Sequence, residues 1–484
     1  MTRITTDLAD EYETMFTLTP GKMRAIVEGF KDALELGLEK PHQTVAMIPT
    51  YIPGWPTGKE TGDFLAVDLG GTNLRVCLVT LLGHGKFDIA QAKYRLSEEQ
   101  KHDDGQKLFD FCADCLKNFI DQNLEIEEGT EVPLGFTFSY PCAQDRIDQG
   151  VLLHWTKGFG APNTEGRDVA AMFRHSLAKH VRPASPSQLF SADFFAAQGL
   201  PVKLAAIVND TAGTLIASHY VDPRARIAVI FGTGCNAAYM ERMADIPKMR
   251  SAGMADDAEM AINCEWGAFD SFENRYLPRT KYDLTIDKAC NKPGEQIFEK
   301  LISGLYLGEI FRIVLCELKD DGLLFENQDP DKLQVPYAFE TAFLSLMESD
   351  QTDELLMSIG IFSHFFSLQT TLAERRFFRT LARLICRRAA RLGACGIAAI
   401  VSKMGYLDEE CVVVVDGSLY NLCTGFSDHL HEGLEDIFGD KGRNIKTYHA
   451  QDGSGVGSAI IAAMTTQQKN SPAGHARVYP PRQS

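Results

Sequence analysis

The sequence predicts an α/β protein, on three observations. One device occurs three times: an apolar run followed at once by a glycine-bearing turn, at Phe64–Val79 (FLAVDLGGTNLRVCLV), Ile227–Met240 (IAVIFGTGCNAAYM) and Cys411–Tyr420 (CVVVVDGSLY). Long stretches with helical periodicity lie between them, as at Leu301–Leu318 and Arg375–Leu392, so strands and helices alternate along the chain. The 484 residues suffice for two or three domains at about 150 residues each.

With 45% hydrophobic and 23% charged residues, the chain can bury a full core without metal or disulfide staples. Its formal net charge of −17 repels nucleic-acid phosphates and acidic lipid, so nucleic acid is not expected as a partner. No run approaches about 18 apolar residues, and the N-terminus (MTRITTDLADEYETMF) is acidic instead of basic and apolar. These features predict a soluble, cytoplasmic protein with no membrane insertion. The twelve cysteines sit mostly in apolar runs (Cys77, Cys264, Cys386, Cys395, Cys411), as buried free thiols do in a reducing compartment.

Taken in order, Phe64–Val79 reads as two strands joined by a tight loop, a β-hairpin with polar atoms at its tip. Cys112 and Cys115 form a lone CxxC without a second pair or a nearby histidine, and FDFCADCLKNFI is the pattern of an amphipathic helix, so no metal site is assigned there or elsewhere. Proline and serine cluster at Pro183–Gly199, which predicts an inserted loop with a small helix. Glu374–Leu392 is densely basic; it fits an interior helix with its arginines outward or, as the alternative, a membrane-surface helix. Asp452–Gly457 opens a helix over Ser458–Met464, and from about Gln467 the chain has no apolar period, which predicts a disordered tail at 467–484.

The glycine turns carry the first chemical signal. In Asp68-Leu69-Gly70-Gly71-Thr72-Asn73 the glycines let backbone N–H groups approach an oxyanion, Thr72 and Asn73 add donors, and Asp68 is placed to hold Mg²⁺ through water. A plain hairpin would also use Gly-Gly, but Gly232-Thr233-Gly234 repeats the arrangement. Neither matches GxGxxG or GxxxxGK[ST], so the dinucleotide and P-loop folds are disfavoured. Asp416-Gly417-Ser418 and the Gly453/Gly455 turn are candidates to line an adenosine pocket. Val208-Asn209-Asp210-Thr211 ends an apolar run with a carboxylate at the mouth of a sheet, where the competing reading is a helix N-cap.

Nine segments, LAVDLGGTNLRV, LGFTFSYPCAQDRIDQGVLLHWTKGF, VNDTAGT, IFGTGCNAAYMER, INCEWGAFD, LPRTKYD, PGEQIFEK, VVVDGSLY and QDGSGVGSAI, resemble the successive signatures of eukaryotic, fungal-type hexokinases and glucokinases, in that family's order. The resemblance spans roughly Phe16–Thr465. It implies an actin-like ATPase (ribonuclease H-like) fold, two lobes around a central cleft, with residues 1–60 and 206–450 in a large lobe and 61–205 and 451–466 in a small one. It implies a hexose and Mg-ATP as ligands, ATP and Mg²⁺ as cofactors, and transfer of phosphate to the 6-OH of glucose or a related hexose, in a monomer or weak homodimer. Carried over residue by residue, Asp210 matches the catalytic base and Lys157 a charge-neutralising partner. Ser139, Thr156, Lys157, Asn209, Asp210, Asn236, Glu265, Gln296 and Glu299 match sugar-binding positions. Asp68, Gly70, Gly71, Thr72, Asn73, Arg75, Gly232, Thr233, Asp416, Gly417, Ser418, Gly453 and Gly455 are expected at ATP. A hexose presents many hydroxyls, and carboxylates and amides are the groups that pair with them. Pro183–Gly199 looks longer than its counterpart in typical fungal hexokinases, so an N-acetylglucosamine kinase is an alternative; a sugar-sensing regulatory protein is a second.

Overall fold

The computed structural model describes residues 6–127, 130–156, 158–180, 200–450, 453–467 and 477–478. The inserted loop expected at Pro183–Gly199 lies outside them. The chain forms two compact units: residues 48–228, 238–263 and 450–484 make the first, and 1–47, 229–237 and 264–449 the second.

The first unit is built on a five-stranded sheet. In spatial order its strands are Lys86–Arg95, Asn73–Gly83, Thr61–Leu69, Val132–Phe138 and Val202–Val208; the first three are antiparallel and the last three parallel. The expected hairpin is present, with Thr61 opposite Leu82, Leu69 opposite Leu74, and Gly70 N–H closing the turn onto Asn73 O at 3.1 Å. Residues 64–69 are buried without a break because both faces of the strand are covered, as a parallel sheet flanked by helices requires. Leu65, Val67 and Leu69 face one apolar cluster with Leu108, Phe109 and Leu116 of the Gly105–Asn123 helix. Phe64 and Ala66 face another with Leu215 and Ile216 of the Asp210–Val221 helix and Ile460 and Ile461 of the Gly453–Gln467 helix. Cys112 and Cys115 lie on the buried face of the expected amphipathic helix.

The last of these helices starts at Gly453, five residues before the expected Ser458. Its glycines are a packing device: a Cβ on Gly457 would stand 1.9 Å from Gly213 O, so this helix and Asp210–Val221 meet backbone to backbone. Also in this unit, Ile48–Pro53 pairs antiparallel with Glu259–Asn263, which pairs antiparallel with the Ala238–Arg242 stretch of the strand Cys235–Arg242. Of the expected tail, Arg477 and Val478 pair antiparallel with Glu125 and Leu124, while residues 468–476 and 479–484 lie outside the described residues.

The second unit is organised around the 33-residue helix Leu372–Met404, opened by a Thr371/Glu374 capping box and closed by left-handed Gly405. The basic stretch is therefore an interior helix, but its arginines are not all outward. Arg376 and Arg383 are exposed, whereas Arg375, Arg388 and Arg391 are buried. Arg388 makes a bidentate pair with Asp283 (2.7 and 2.8 Å) and stacks over Phe16, and Arg391 pairs with Asp436. Burial is tolerated because each guanidinium finds a carboxylate.

The helix expected over Leu301–Leu318 is two helices, Ile297–Ile302 and Gly304–Asp320. Ser303 is extended between them, and Gly304 N–H is drawn to Gly232 O at 2.7 Å instead of continuing the first helix. The strand Cys411–Asp416 pairs parallel with Ile445–His449 and turns at Gly417 into the short helix Ser418–Leu422.

Candidate active site

In the first unit, the parallel strands deliver their C-terminal ends to one edge. Asp68 pairs in register with Thr137, and Thr137 with Val208, so Asp68, Ser139 and Asn209-Asp210 follow one another across three neighbouring strands. This is the edge at which open α/β sheets bind ligands. Asn209, not Asp210, takes the cap: its Oδ1 accepts Thr211 N–H at 2.9 Å, leaving Asp210 as the first helical residue. The Asp210 carboxylate accepts from Thr211 N–H at 2.8 Å and Thr211 Oγ1 at 3.1 Å, at the positive end of the helix, where an anion is favoured.

Asp68 is 4% exposed and accepts from Arg75 Nη2 (2.5 Å), Arg75 Nε (3.1 Å) and Ser454 Oγ (2.8 Å). Arg75 also donates to Ser454 Oγ at 2.7 Å. Sequence reasoning missed Ser454, although it stands inside the DGSGVG motif; it also missed Tyr140, next to Ser139. Tyr140 donates to Gly70 O at 3.2 Å, and its hydroxyl is pushed well above its ordinary pKa by burial and then by the carboxylates of Asp210 and Asp68. Thr156 occupies a turn closed by Phe159 N–H onto its carbonyl at 3.1 Å, between buried Trp155 and Phe159. Lys157 lies outside the described residues. Gly70, Gly71, Thr72 and Asn73 form the hairpin tip, while Gly453 and Gly455 are buried inside the helix packed on Asp210–Val221.

The second unit gathers the remaining sugar-type residues. Asn236 Oδ1 accepts Glu265 N–H at 3.0 Å and Ala237 N–H at 2.8 Å, and its Nδ2 faces Glu265 Oε1 at 3.5 Å. Glu299 Oε2 accepts Cys235 N–H at 3.0 Å. Gln296 Oε1 and Glu299 Cβ both come within 3.2 Å of where a Cβ on Gly267 would sit, so these groups converge. Glu265 and Gln296 both have φ of 52°, a strained setting for residues with a Cβ and one that collects at ligand sites. Burial, then the Glu299 carboxylate, push the Cys235 thiol well above its ordinary value, which keeps it neutral beside this cluster.

The same unit joins the Gly232–Gly234 turn to the Asp416–Ser418 turn. Gly417 has φ of 110°, and a Cβ there would stand 2.4 Å from Phe231 O. Thr233 and Ser418 border a cavity of about 520 Å³ whose other walls include Leu305, Phe339, Leu419 and Leu422. A largely apolar pocket that also offers hydroxyls, those of Thr233, Tyr337, Thr341, Ser345 and Ser418, suits a nucleoside.

Two family profiles described as hexokinase match residues 8–220 and 226–464. Hexokinase-1 of Saccharomyces cerevisiae is 43% identical over 480 residues, 97% of this chain and 94% of that protein. Hexokinase-2 of Candida albicans is 43% identical over 463 residues, 94% and 91% of the two chains. Among solved structures, the hexokinase from Schistosoma mansoni complexed with glucose matches with a TM-score of 0.82 at 31% identity, covering 95% of this chain and 98% of that one. That match and the α/β content bear out the expected actin-like ATPase fold, and the chain belongs to the hexokinase family.

Proposed function

We propose that this protein is an ATP-dependent hexose kinase that phosphorylates the 6-OH of its sugar with Asp210 as general base. The observation that carries the assignment is the placement of Asp210: a carboxylate just past a parallel strand, relieved of the capping role by Asn209, at one sheet edge with Asp68. As the 6-oxygen attacks the γ-phosphorus, its proton passes to the Asp210 carboxylate, the new O–P bond forms, and the bond to the β-phosphate oxygen breaks to release ADP.

The other hydroxyls of the hexose are assigned to Ser139, Thr156, Lys157, Asn209, Asn236, Glu265, Gln296 and Glu299. The strained backbone at Glu265 and Gln296 and the Asn236 amide that pins Glu265 support this, because they hold acceptors at set angles before substrate arrives. The nucleoside is assigned to the cavity bordered by Thr233 and Ser418, and the phosphates to the backbone of the Gly70–Asn73 tip.

Magnesium is taken to arrive with ATP. Bound magnesium usually keeps several waters and is held largely by substrate phosphates. Asp68, anchored by Arg75 and Ser454, is the acceptor proposed for that water shell. When bound, the ion neutralises phosphate charge. We further place the protein in the cytoplasm as a monomer or weak homodimer; among the described residues, no helix is long and apolar enough to cross a membrane.

A coupled ADP-release assay with glucose, fructose, mannose, glucosamine and N-acetylglucosamine in parallel tests the function and ranks the acceptors. Sugar-dependent turnover is expected with at least glucose or a close epimer. ATP turnover unaffected by any of the five would refute the assignment.

A further inference from the structure

Cys423 forms part of the wall of the 520 Å³ cavity. It ends the short helix Ser418–Leu422, and its Sγ lies 3.4 Å from Sγ of Cys386, which is fully buried on the helix Leu372–Met404. The two thiols thus touch across the layer between the cavity and the core. A disulfide needs an Sγ–Sγ distance of about 2.05 Å, so closing the bond asks for a movement of only a little over 1 Å.

The segment that would move is tied to the cavity. Ser345 Oγ donates to Leu422 O at 2.7 Å and accepts Thr424 N–H at 3.0 Å, holding both neighbours of Cys423, and Ser345 and Leu422 are themselves cavity wall. Drawing Cys423 towards the long helix therefore strains the wall that the proposed nucleotide contacts.

We propose that Cys386 and Cys423 are an oxidisable dithiol, closed to a disulfide by hydroperoxides and reopened by thiols, and that closure weakens nucleotide binding. The effect on nucleotide rests on the assignment of the cavity above; the chemistry of the pair does not. Cys423, 8% exposed and facing the cavity, meets the oxidant first: its sulfur takes the terminal oxygen of a hydroperoxide, giving a sulfenic acid and an alcohol, or water in the case of hydrogen peroxide. Cys386 sulfur then bonds to Cys423 sulfur as the sulfenic hydroxyl departs with the Cys386 proton as water. Overall, two thiols lose two hydrogens and one peroxide is reduced. The contact with Cys423, and then burial, push the Cys386 thiol well above its ordinary pKa, so it stays protonated until its proton leaves with the sulfenic hydroxyl.

The test treats the full-length protein with hydrogen peroxide, maps peptides by mass, and measures steady-state kinetics before and after dithiothreitol. A Cys386–Cys423 cross-link is expected, with kcat/KM for ATP falling roughly 10- to 100-fold and recovering on reduction, since displacements near 1 Å in a binding site carry such costs. In Cys386→Ser the cross-link should disappear together with the loss of kcat/KM that tracks it, any remaining reversible loss being matched by Cys423 sulfenic acid in the peptide map. Inactivation with both thiols still reduced would overturn the proposal, as would a cross-link that leaves ATP kinetics unchanged. Alkylation of Cys423 by N-ethylmaleimide in the reduced protein, with and without ADP, tests the cavity assignment separately. Failure of ADP to shield Cys423 refutes that assignment. Shielding without any cross-link under peroxide refutes the redox pair.

Discussion

Replacing Asp210 by asparagine separates chemistry from folding, because the structure limits the folding cost. Asn209 keeps the helix cap through its 2.9 Å bond to Thr211 N–H, and an asparagine oxygen at 210 can still accept from Thr211. What is lost structurally is one negative charge at a helix N-terminus, worth about 0.3–1 kcal/mol, against about 5–15 kcal/mol for the stability of a typical domain. What is lost chemically is general-base assistance, worth roughly 10²–10⁴-fold in rate, or about 2.7–5.5 kcal/mol of barrier. Asp210→Asn should therefore melt close to the parent while its kcat for hexose phosphorylation falls at least about a hundredfold, with hexose binding largely retained. Thermal melting, isothermal titration with sugar, and the ADP-release assay read the three quantities on one preparation. A folded variant with kcat within a few-fold of the parent would show that the proton leaves by another route.

Three further outcomes follow from the geometry. Arg388→Ala strands the buried Asp283 carboxylate and should lower the unfolding free energy by about 3–5 kcal/mol in urea titration; a loss under about 1 kcal/mol would mean that water or relaxation replaces the pair. Gly417→Ala combines a backbone at φ 110° with a Cβ 2.4 Å from Phe231 O, so it should destabilise the protein by more than about 1 kcal/mol and raise KM for ATP while leaving that for hexose largely unchanged. The Glu348 carboxylate, 3.7 Å from His429 Nε2, raises the His429 pKa above its ordinary 6.5, assisted by Glu432 and opposed by burial. Its stabilisation is thus complete below that value and fades as pH rises through the raised one, so urea stability should fall above pH 6.5 by an amount missing in His429→Gln.

Much of this protein is legible in one dimension wherever structure is local. The Phe64–Val79 hairpin, the amphipathic helix bearing Cys112 and Cys115, and the strand and turn at Cys411–Gly417 follow from apolar period and glycine placement alone, because strand alternation, helix spacing and turn conformation depend on a few consecutive residues. The order of nine motifs likewise identified the family without coordinates. Contacts distant in sequence decided the rest. Ser303 breaks what looks like one helix because Gly304 N–H has a partner at Gly232, 72 residues earlier by number. Arg388 and Arg391, expected to point outward, are buried, since Asp283 for Arg388 and Asp436 for Arg391 are supplied by other elements. The close packing of Gly457 on Gly213, where two helices meet, could not be read from the Gly453–Gly457 run. Sequence alone determined which residues could form a turn, a cap or a hydrogen bond; tertiary structure decided which partner each group takes, because a buried polar group must be paired and its partner is chosen by packing.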